Sequence, residues 1–165
     1  MTLRIAKVLL AGGVGLFHTI VVWNNIADYD SNYQFVRHVL MMDSTFPGNH
    51  LMWRAMNSPV IHTAFYCSII LWEIATMLCC WLGAIRMGRA LRASGAEFHR
   101  AKKWVVAGLT LSMLMSLIAF MSVGGEWFLM WQSKNWNGQE AAFRMFCIAG
   151  VVLLLVARRE EETQP

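Results

Sequence analysis

The sequence predicts an all-α membrane protein, a bundle of four transmembrane helices, on the strength of two observations. The 165-residue chain is 57% hydrophobic and 15% charged, with a mean hydropathy of +0.45, whereas soluble domains carry about 25% charged residues. The apolar residues gather into stretches close to the roughly 20 residues that a helix needs to cross a bilayer. We therefore expect a single membrane domain.

The four predicted spans cover residues 5–23, 60–85, 104–123 and 140–157. No charged residue occurs in the third span, which makes it the most clearly defined. Arg144 interrupts the fourth near its start, where an arginine side chain can extend to the lipid headgroups. The first span is not followed by the small-residue cleavage site that ends a signal peptide, so all four are expected to persist as spanning helices.

The segment between the first two spans, residues 24–59, is predicted to lie on the outer surface. Tyr33, Val36, Leu40 and Met41 recur at helical spacing, which indicates a short amphipathic helix at the membrane interface. The string "STFPGN" should end this helix. Ser58 and Pro59 then provide a capping residue and a first helical residue for the second span.

Basic residues and tryptophans predict the orientation. Ten of the fourteen Lys and Arg residues lie near the termini or in the 86–103 loop, namely Arg4, Lys7, Arg86, Arg89, Arg92, Arg100, Lys102, Lys103, Arg158 and Arg159. Basic loops are retained in the cytoplasm, so both termini and this loop are predicted to be cytoplasmic. Interfacial anchors at the outer boundary are expected from Trp23, Trp53, Trp127, Trp131 and Trp136.

This topology also accounts for the net charge of +4, so no nucleic-acid partner is expected and the bilayer is the expected environment. The tail, residues 158–165, is short and charged and is expected to be mobile.

Four strings of the sequence resemble a bacterial family of predicted small integral membrane proteins of unknown function. These are "NNIADYDSNYQFVRHVLMMD", "WRAMNSP", "WEIATMLCCWLGA" and "GGEWFLMWQSKNWNGQ". The resemblance extends over nearly the whole chain. It implies four spans and a location in the inner membrane, and it supplies no catalytic residues.

Glu73 is a carboxylate deep within the second span, where an ionisable residue suggests a functional site. Steps of three and four residues along the second span place six further residues on the same helix face as Glu73: His62, Tyr66, Ile69, Thr76, Cys80 and Gly83. His18 lies 13 residues from Ile5, as Glu73 lies 13 residues from Arg86, so both are at similar depth in antiparallel helices. We hypothesise a buried His18–Glu73 pair that either fixes helix register or carries a proton or ligand, with His62, Tyr66 and Thr76 as possible pocket residues.

Small residues predict where helices approach closely. Gly15 in the first span and Gly108, Ser112 and Ser116 in the third recur at helical steps. Such ridges are typical of helix-packing seams in membranes, and a path for a substrate is the lesser alternative.

No metal site is predicted. Asp28, Asp30 and Asn32 are spaced like the start of a calcium loop, but Tyr33 and Val39 stand where that loop needs glycine and glutamate. Histidines and methionines of the outer segment are potential copper ligands, although an apolar helix face explains the methionines better.

No resident cofactor is expected either, although a quinone or lipid is possible. His18 and His62 lie at different depths, which disfavours a haem held by both. The cysteines, all within spans and without a Cys-x-x-Cys motif, are expected to pack as small apolar residues: Cys67, Cys79, Cys80 and Cys147.

Three functions are compatible with these features. Since the sequence has no phosphate-binding glycine loop and no nucleophile elbow, a non-catalytic accessory or scaffolding subunit of a larger membrane complex is favoured, with a membrane-protein partner or a second copy. A small proton-coupled transporter that uses Glu73 predicts a cavity reaching that residue. A quinone- or lipid-binding protein, with His18, Glu73 and the outer tryptophans lining a lateral pocket, predicts an apolar groove open to the outer leaflet.

Overall fold

The computed structural model describes residues 1–160 and confirms the predicted helical bundle. Within this range there is no β-strand, and four helical stretches are long and apolar enough to cross a membrane. The elements are α1 (Thr2–Ala27), α2 (Tyr29–Met41), α3 (Pro59–Arg89), α4 (Gly95–Ala101), α5 (Lys103–Leu114), a π-helical segment (Met115–Trp127) that continues α5, and α6 (Gln139–Ala157).

The long helices pack in the order α1, α3, α5 and α6, and α6 returns to contact α1. One end of the bundle, which we call the base, carries residues 1–7, 86–103 and 157–160. The other end is covered by a cap, which consists of α2 with residues 42–58 and 128–138. Two single 3₁₀ turns, Met52–Arg54 and Met130–Gln132, lie within the cap.

Two apolar clusters stabilise this arrangement. The larger one fills the half of the bundle nearest the base, with the buried side chains of Ala11, Val14, Cys80, Leu109, Ala149 and Val152 among its members. The second joins the cap to the bundle through Val39, Leu40, Met42, Phe128, Leu129 and Met130. The core is therefore divided between the two ends, and the space between the clusters is less tightly filled.

The observed helix ends agree in part with the ends predicted from the sequence. The amphipathic helix predicted in the outer segment forms as α2, and it ends where Met42 adopts a left-handed backbone conformation with φ of 54°. As predicted, Ser58 precedes the first residue of α3, Pro59, although its side chain makes no capping hydrogen bond. Helix α3 extends to Arg89, beyond the predicted end of its span.

The π-helical segment is a feature that the sequence did not predict. Its hydrogen bonds join residues five apart, as between the Phe128 amide and the Val123 carbonyl at 3.0 Å. A side-chain bond has the same five-residue spacing, since the Ser122 hydroxyl donates to the Leu117 carbonyl at 2.8 Å. Extended π-helix is rare, and short π-helical insertions are often found at functional sites.

At the base, two buried lysines bind Arg158 and Glu160. Lys7 and Lys102 donate hydrogen bonds to Glu160 Oε1 at 2.6 and 3.0 Å and to the Arg158 carbonyl at 2.9 and 2.7 Å. The Arg4 Nε lies 3.8 Å from the other carboxylate oxygen of Glu160. Buried ammonium groups need such partners, because desolvating an unpaired charge is very costly.

The sequence predicted a mobile tail over residues 158–165. Its first residues contact the base, since the fully buried Lys7 side chain takes its partners from Arg158 and Glu160. Residues 161–165 lie outside the described part of the chain.

The contribution of Glu160 to stability should depend on pH. Burial alone would raise the pKa of its carboxyl, but hydrogen bonds and charge from Lys7 and Lys102 outweigh burial, and the pKa lies below its ordinary value of 4.5. A lowered pKa in the folded state means that this contribution is present above the ordinary pKa and is lost as the pH falls through the folded value. The thermal stability of wild type should therefore exceed that of Glu160→Gln near neutral pH and approach it in acid. A difference that persists below the folded pKa would contradict this assignment.

Close approach of α3 and α5 depends on Gly108. A Cβ there would lie 2.6 Å from Cys80 Sγ and 2.9 Å from the Cys80 amide nitrogen, so Gly108→Ala should destabilise the bundle by about 1–3 kcal/mol. Gly13→Ala is the matched control, since a Cβ at Gly13 meets no atom within 4 Å. Reversible unfolding in detergent micelles measures both variants. Equal stability of the two would show that α3 and α5 do not pack this closely.

Candidate functional site

A cavity of about 340 Å³ lies between the halves of the long helices nearest the cap. Side chains from α1, α3, α5 and the π-helical segment line it, α6 closes one side, and α2 lies across the end next to the cap. Its polar lining consists of His18, Asn25, Asn32, Tyr66, Glu73, Ser112 and Ser116.

Three helices bring His18, Glu73 and Ser112 together in this cavity. Both His18 and Glu73 are buried, with 2% and 7% of their surface exposed. The His18 Nδ1 lies 3.6 Å from Glu73 Oε2, which is within the range of an ion pair but beyond that of a good hydrogen bond. On the other side of the ring, His18 Nε2 lies 3.0 Å from the Ser112 hydroxyl, a hydrogen-bonding distance.

One atom of each partner in the His18–Glu73 pair remains without a hydrogen bond. Among the described residues, neither His18 Nδ1 nor Glu73 Oε2 has a hydrogen-bond partner, and both atoms are fully buried. A buried polar atom without a partner carries its full desolvation cost. A molecule in the cavity that bridges the two atoms would therefore gain binding energy from both.

The other predicted pocket residues differ in what they contact. Tyr66 lines the cavity, and its hydroxyl donates to the backbone carbonyl of Asn25 at 2.9 Å. His62 instead donates from Nε2 to the Met56 carbonyl at 2.7 Å, which fastens the cap to the start of α3. The Thr76 hydroxyl donates to the carbonyl four residues back in its own helix. Tyr66 thus belongs to the site, whereas His62 and Thr76 have local structural partners.

The residues of the predicted packing seams also differ in what they contact. Gly15 lies against the indole of Trp81, where a Cβ would be 3.3 Å from the ring, and Gly108 lies against α3 as described above. The Ser116 hydroxyl donates to the Ser112 carbonyl of its own helix at 3.1 Å. Ser112 itself contacts His18. Its helical spacing indicated an inward-facing residue but gave no sign of its partner.

Four of the five predicted tryptophan anchors are exposed near the cap: Trp23, Trp53, Trp127 and Trp131. The fifth, Trp136, stacks on the His38 ring at a centroid distance of 4.5 Å. The Arg54 guanidinium lies over the Trp127 ring, 4.4 Å from its centroid. This end of the molecule therefore presents amphipathic aromatic side chains at its surface.

An apolar groove of about 220 Å³ adjoins the cavity. It lies between α2, α3 and the π-helical segment, and its lining includes Leu40, Phe65, Trp72 and Val123. The groove and the cavity have a common wall of Phe35, Val36, Ile69 and Phe120. The cavity that contains His18 and Glu73 thus lies beside an apolar groove. The quinone- or lipid-binding alternative predicted an apolar groove from the sequence, but not which residues line it.

With regard to metals, no group of three or more His, Cys, Asp or Glu side chains between residues 1 and 160 is arranged to hold an ion. In the cap, the Asp43 carboxylate lies 2.6 Å from His38 Nδ1, so these two side chains pair with each other.

The fold and the site thus define an integral membrane protein with a cavity inside its bundle that is lined in part by buried polar side chains. The chain belongs to the family described as "predicted small integral membrane protein (DUF2165)", which matches residues 3–159. This membership agrees with the resemblance seen in the sequence and implies contact with the lipid bilayer. No match was found among curated proteins or solved structures.

The contact between His18 and Ser112 can be tested by removing one hydroxyl. Ser112→Ala leaves the buried His18 Nε2 unpaired and should lower the free energy of unfolding by about 1–3 kcal/mol. Ser116→Ala, one turn away, removes only a bond to its own helix and should cost less. Chemical unfolding in micelles gives both values, and a larger loss for Ser116→Ala would refute the assignment.

Proposed function

We propose that this protein binds a membrane-soluble molecule with a polar head and an apolar tail, of the quinone or lipid class. The observation that supports this most directly is the pair of unsatisfied atoms, His18 Nδ1 and Glu73 Oε2, on a cavity of about 340 Å³. That volume falls within the range of roughly 300–1,000 Å³ common for small-molecule sites. The polar head would lie in the cavity.

The chemistry of the pair suits a quinone in both redox forms. A neutral histidine that carries its proton on Nδ1 donates to a quinone carbonyl, and an ionised Glu73 accepts from a quinol hydroxyl. In that tautomer the Ser112 hydroxyl, 3.0 Å from the opposite ring nitrogen of His18, donates to Nε2. We assign the pair a binding role and propose no catalytic step.

The adjoining groove provides a place for the apolar part of such a ligand. Its lining is aliphatic and aromatic apart from Ser68, whose hydroxyl donates to the Phe65 carbonyl at 2.7 Å. A tail in the groove would displace no polar contact, and burial of its surface is favourable by about 25 cal/mol per Å². A movement of the common wall at Ile69 or Phe120 would join the two compartments.

A role as an accessory subunit is the second candidate, supported by a different surface. A shallow lateral groove of about 430 Å³ between α1 and α3 is lined by Gly12, Gly13 and Trp81 among others. Because a Cβ at Gly13 would meet no atom within 4 Å, a helix of a partner subunit could approach the backbone closely there.

We also propose that the base faces the cytoplasm of a bacterial cell, with the protein in the inner membrane. The support is the gathering of basic residues at the base, since positively charged segments are retained on the cytoplasmic side. The site would then lie in the outer half of the bilayer.

The proposed function is tested by titrating the purified protein with decylubiquinol and following tryptophan fluorescence. Glu73→Gln should weaken binding by about tenfold or more, the usual effect of losing a hydrogen bond to a charged group. Glu126→Gln is the control, because Glu126 is exposed in the π-helical segment.

Native mass spectrometry of the same preparations separates the two candidates. A retained small molecule in wild type that is lost in Glu73→Gln supports the binding role. A stoichiometric protein partner without such a molecule supports the accessory role instead. Equal affinity of wild type and Glu73→Gln for decylubiquinol, with no retained molecule, would refute the proposed site.

A further inference from the structure

The buried lysines at the base form a second polar site, separate from the cavity near the cap. The Lys7 side chain is fully buried and that of Lys102 is 3% exposed. Both ammonium groups point at the same two acceptors, the Glu160 carboxylate and the Arg158 carbonyl. Two cations buried side by side repel each other, so this arrangement is stable only while an anion lies between them.

The acceptors between these cations are three oxygen atoms. The two carboxylate oxygens of Glu160 and the Arg158 carbonyl present three oxygens to Lys7, Lys102 and Arg4. A phosphate group also presents three or so acceptor oxygens, and charge-assisted hydrogen bonds from lysine and arginine are its usual means of recognition. One carboxylate brings a single negative charge to these three cations.

We propose that Arg4, Lys7 and Lys102 form a binding site for an anionic phosphate group, which Arg158 and Glu160 occupy when no such ligand is bound. The C-terminal segment then acts as an internal substitute for the ligand, and phosphate binding releases it from the base. A phospholipid headgroup and a free phosphate ion share the required chemistry.

Two of the three cations also have contacts that do not involve residues 158–160. The ring of Phe98 is fully buried, and it lies under the Arg4 guanidinium at 4.9 Å and under the Lys102 ammonium at 5.5 Å. Arg4 also donates from Nη1 to the Leu91 and Ala93 carbonyls at 3.0 and 2.6 Å. Basic pockets between transmembrane helices are known binding sites for anionic lipid headgroups.

The test measures whether an anionic ligand releases the chain end. The full-length protein is placed in nanodiscs of phosphatidylcholine alone or of phosphatidylcholine mixed equally with phosphatidylglycerol, and carboxypeptidase removes residues from the C-terminus. Cleavage past Glu160 should be about tenfold faster with phosphatidylglycerol, if displacement replaces one charge-assisted contact. Inorganic phosphate added to the phosphatidylcholine nanodiscs distinguishes the sources: acceleration by phosphate indicates a free ion, and acceleration only by phosphatidylglycerol indicates a headgroup.

Two adjacent lysines provide the matched control. Lys103 is exposed, whereas Lys102 is buried in the site. Lys102→Gln should abolish the acceleration by phosphatidylglycerol, while Lys103→Gln, with the same loss of charge, should retain it. If Lys103→Gln abolishes the acceleration as well, the effect comes from general surface charge and the proposal is wrong.

A second measurement does not depend on proteolysis. Glu160→Gln keeps the shape of the side chain and removes the competing charge, so it should retain about tenfold more phosphatidylglycerol in native mass spectra than wild type. Equal retention by the two proteins, together with cleavage rates that neither anion changes, would show that residues 158–160 are only a structural contact.

Discussion

The lack of hydrogen-bond partners in the hydrocarbon interior of a bilayer is the constraint on which this structure depends. It requires backbone groups to bond within helices, and it directs polar side chains toward one another or toward their own backbone. Thr19 and Thr76 each bond the carbonyl four residues earlier, and the Trp72 indole donates to the Leu111 carbonyl of the neighbouring helix. Among the described residues five buried side-chain atoms have no hydrogen-bond partner, and of these only His18 Nδ1 and Glu73 Oε2 belong to residues that line the cavity. Because an unsatisfied polar atom is costly in this environment, these two atoms support the proposed binding role.

The uneven distribution of packing places the cavity at one end of the bundle. Near the base, small residues let the helices approach, as where Gly83 faces Val105 and Gly108 faces Cys80. Toward the cap, α5 changes to π-helix at Met115, and this change alters which side chains face inward. Met115, Ser116 and Phe120 from this region line the cavity. The π-helical segment therefore forms part of the cavity wall.

The parts of the structure that follow from periodicity could be predicted from sequence, and the parts that follow from tertiary packing could not. The hydrophobic pattern located the four long helices, and steps of three and four placed His62, Tyr66, Glu73 and Thr76 on the buried face of α3. Counting from the charged ends brought His18 to the depth of Glu73. Periodicity fixes the face of a residue but not its partner, so the contact of Ser112 with His18 was missed. The docking of Glu160 was missed because Lys7 and Lys102 were interpreted only as indicators of topology, although burial gives them a structural role as well.

The two polar sites are linked by the buried face of α1, which carries both Lys7 and His18. Eleven residues separate them, about 16 Å along a helix, and Ala11, Val14 and Gly15 between them are buried against the core. Because the face is continuous and the helix is rigid, a rotation of α1 that relaxes the hold of Lys7 on Glu160 also changes the distance from His18 to Glu73. A ligand can shift such an equilibrium only by binding the two positions of α1 unequally. A phosphate group at the proposed base site would therefore act on the cavity only if it held Lys7 in a position different from the one that Glu160 imposes.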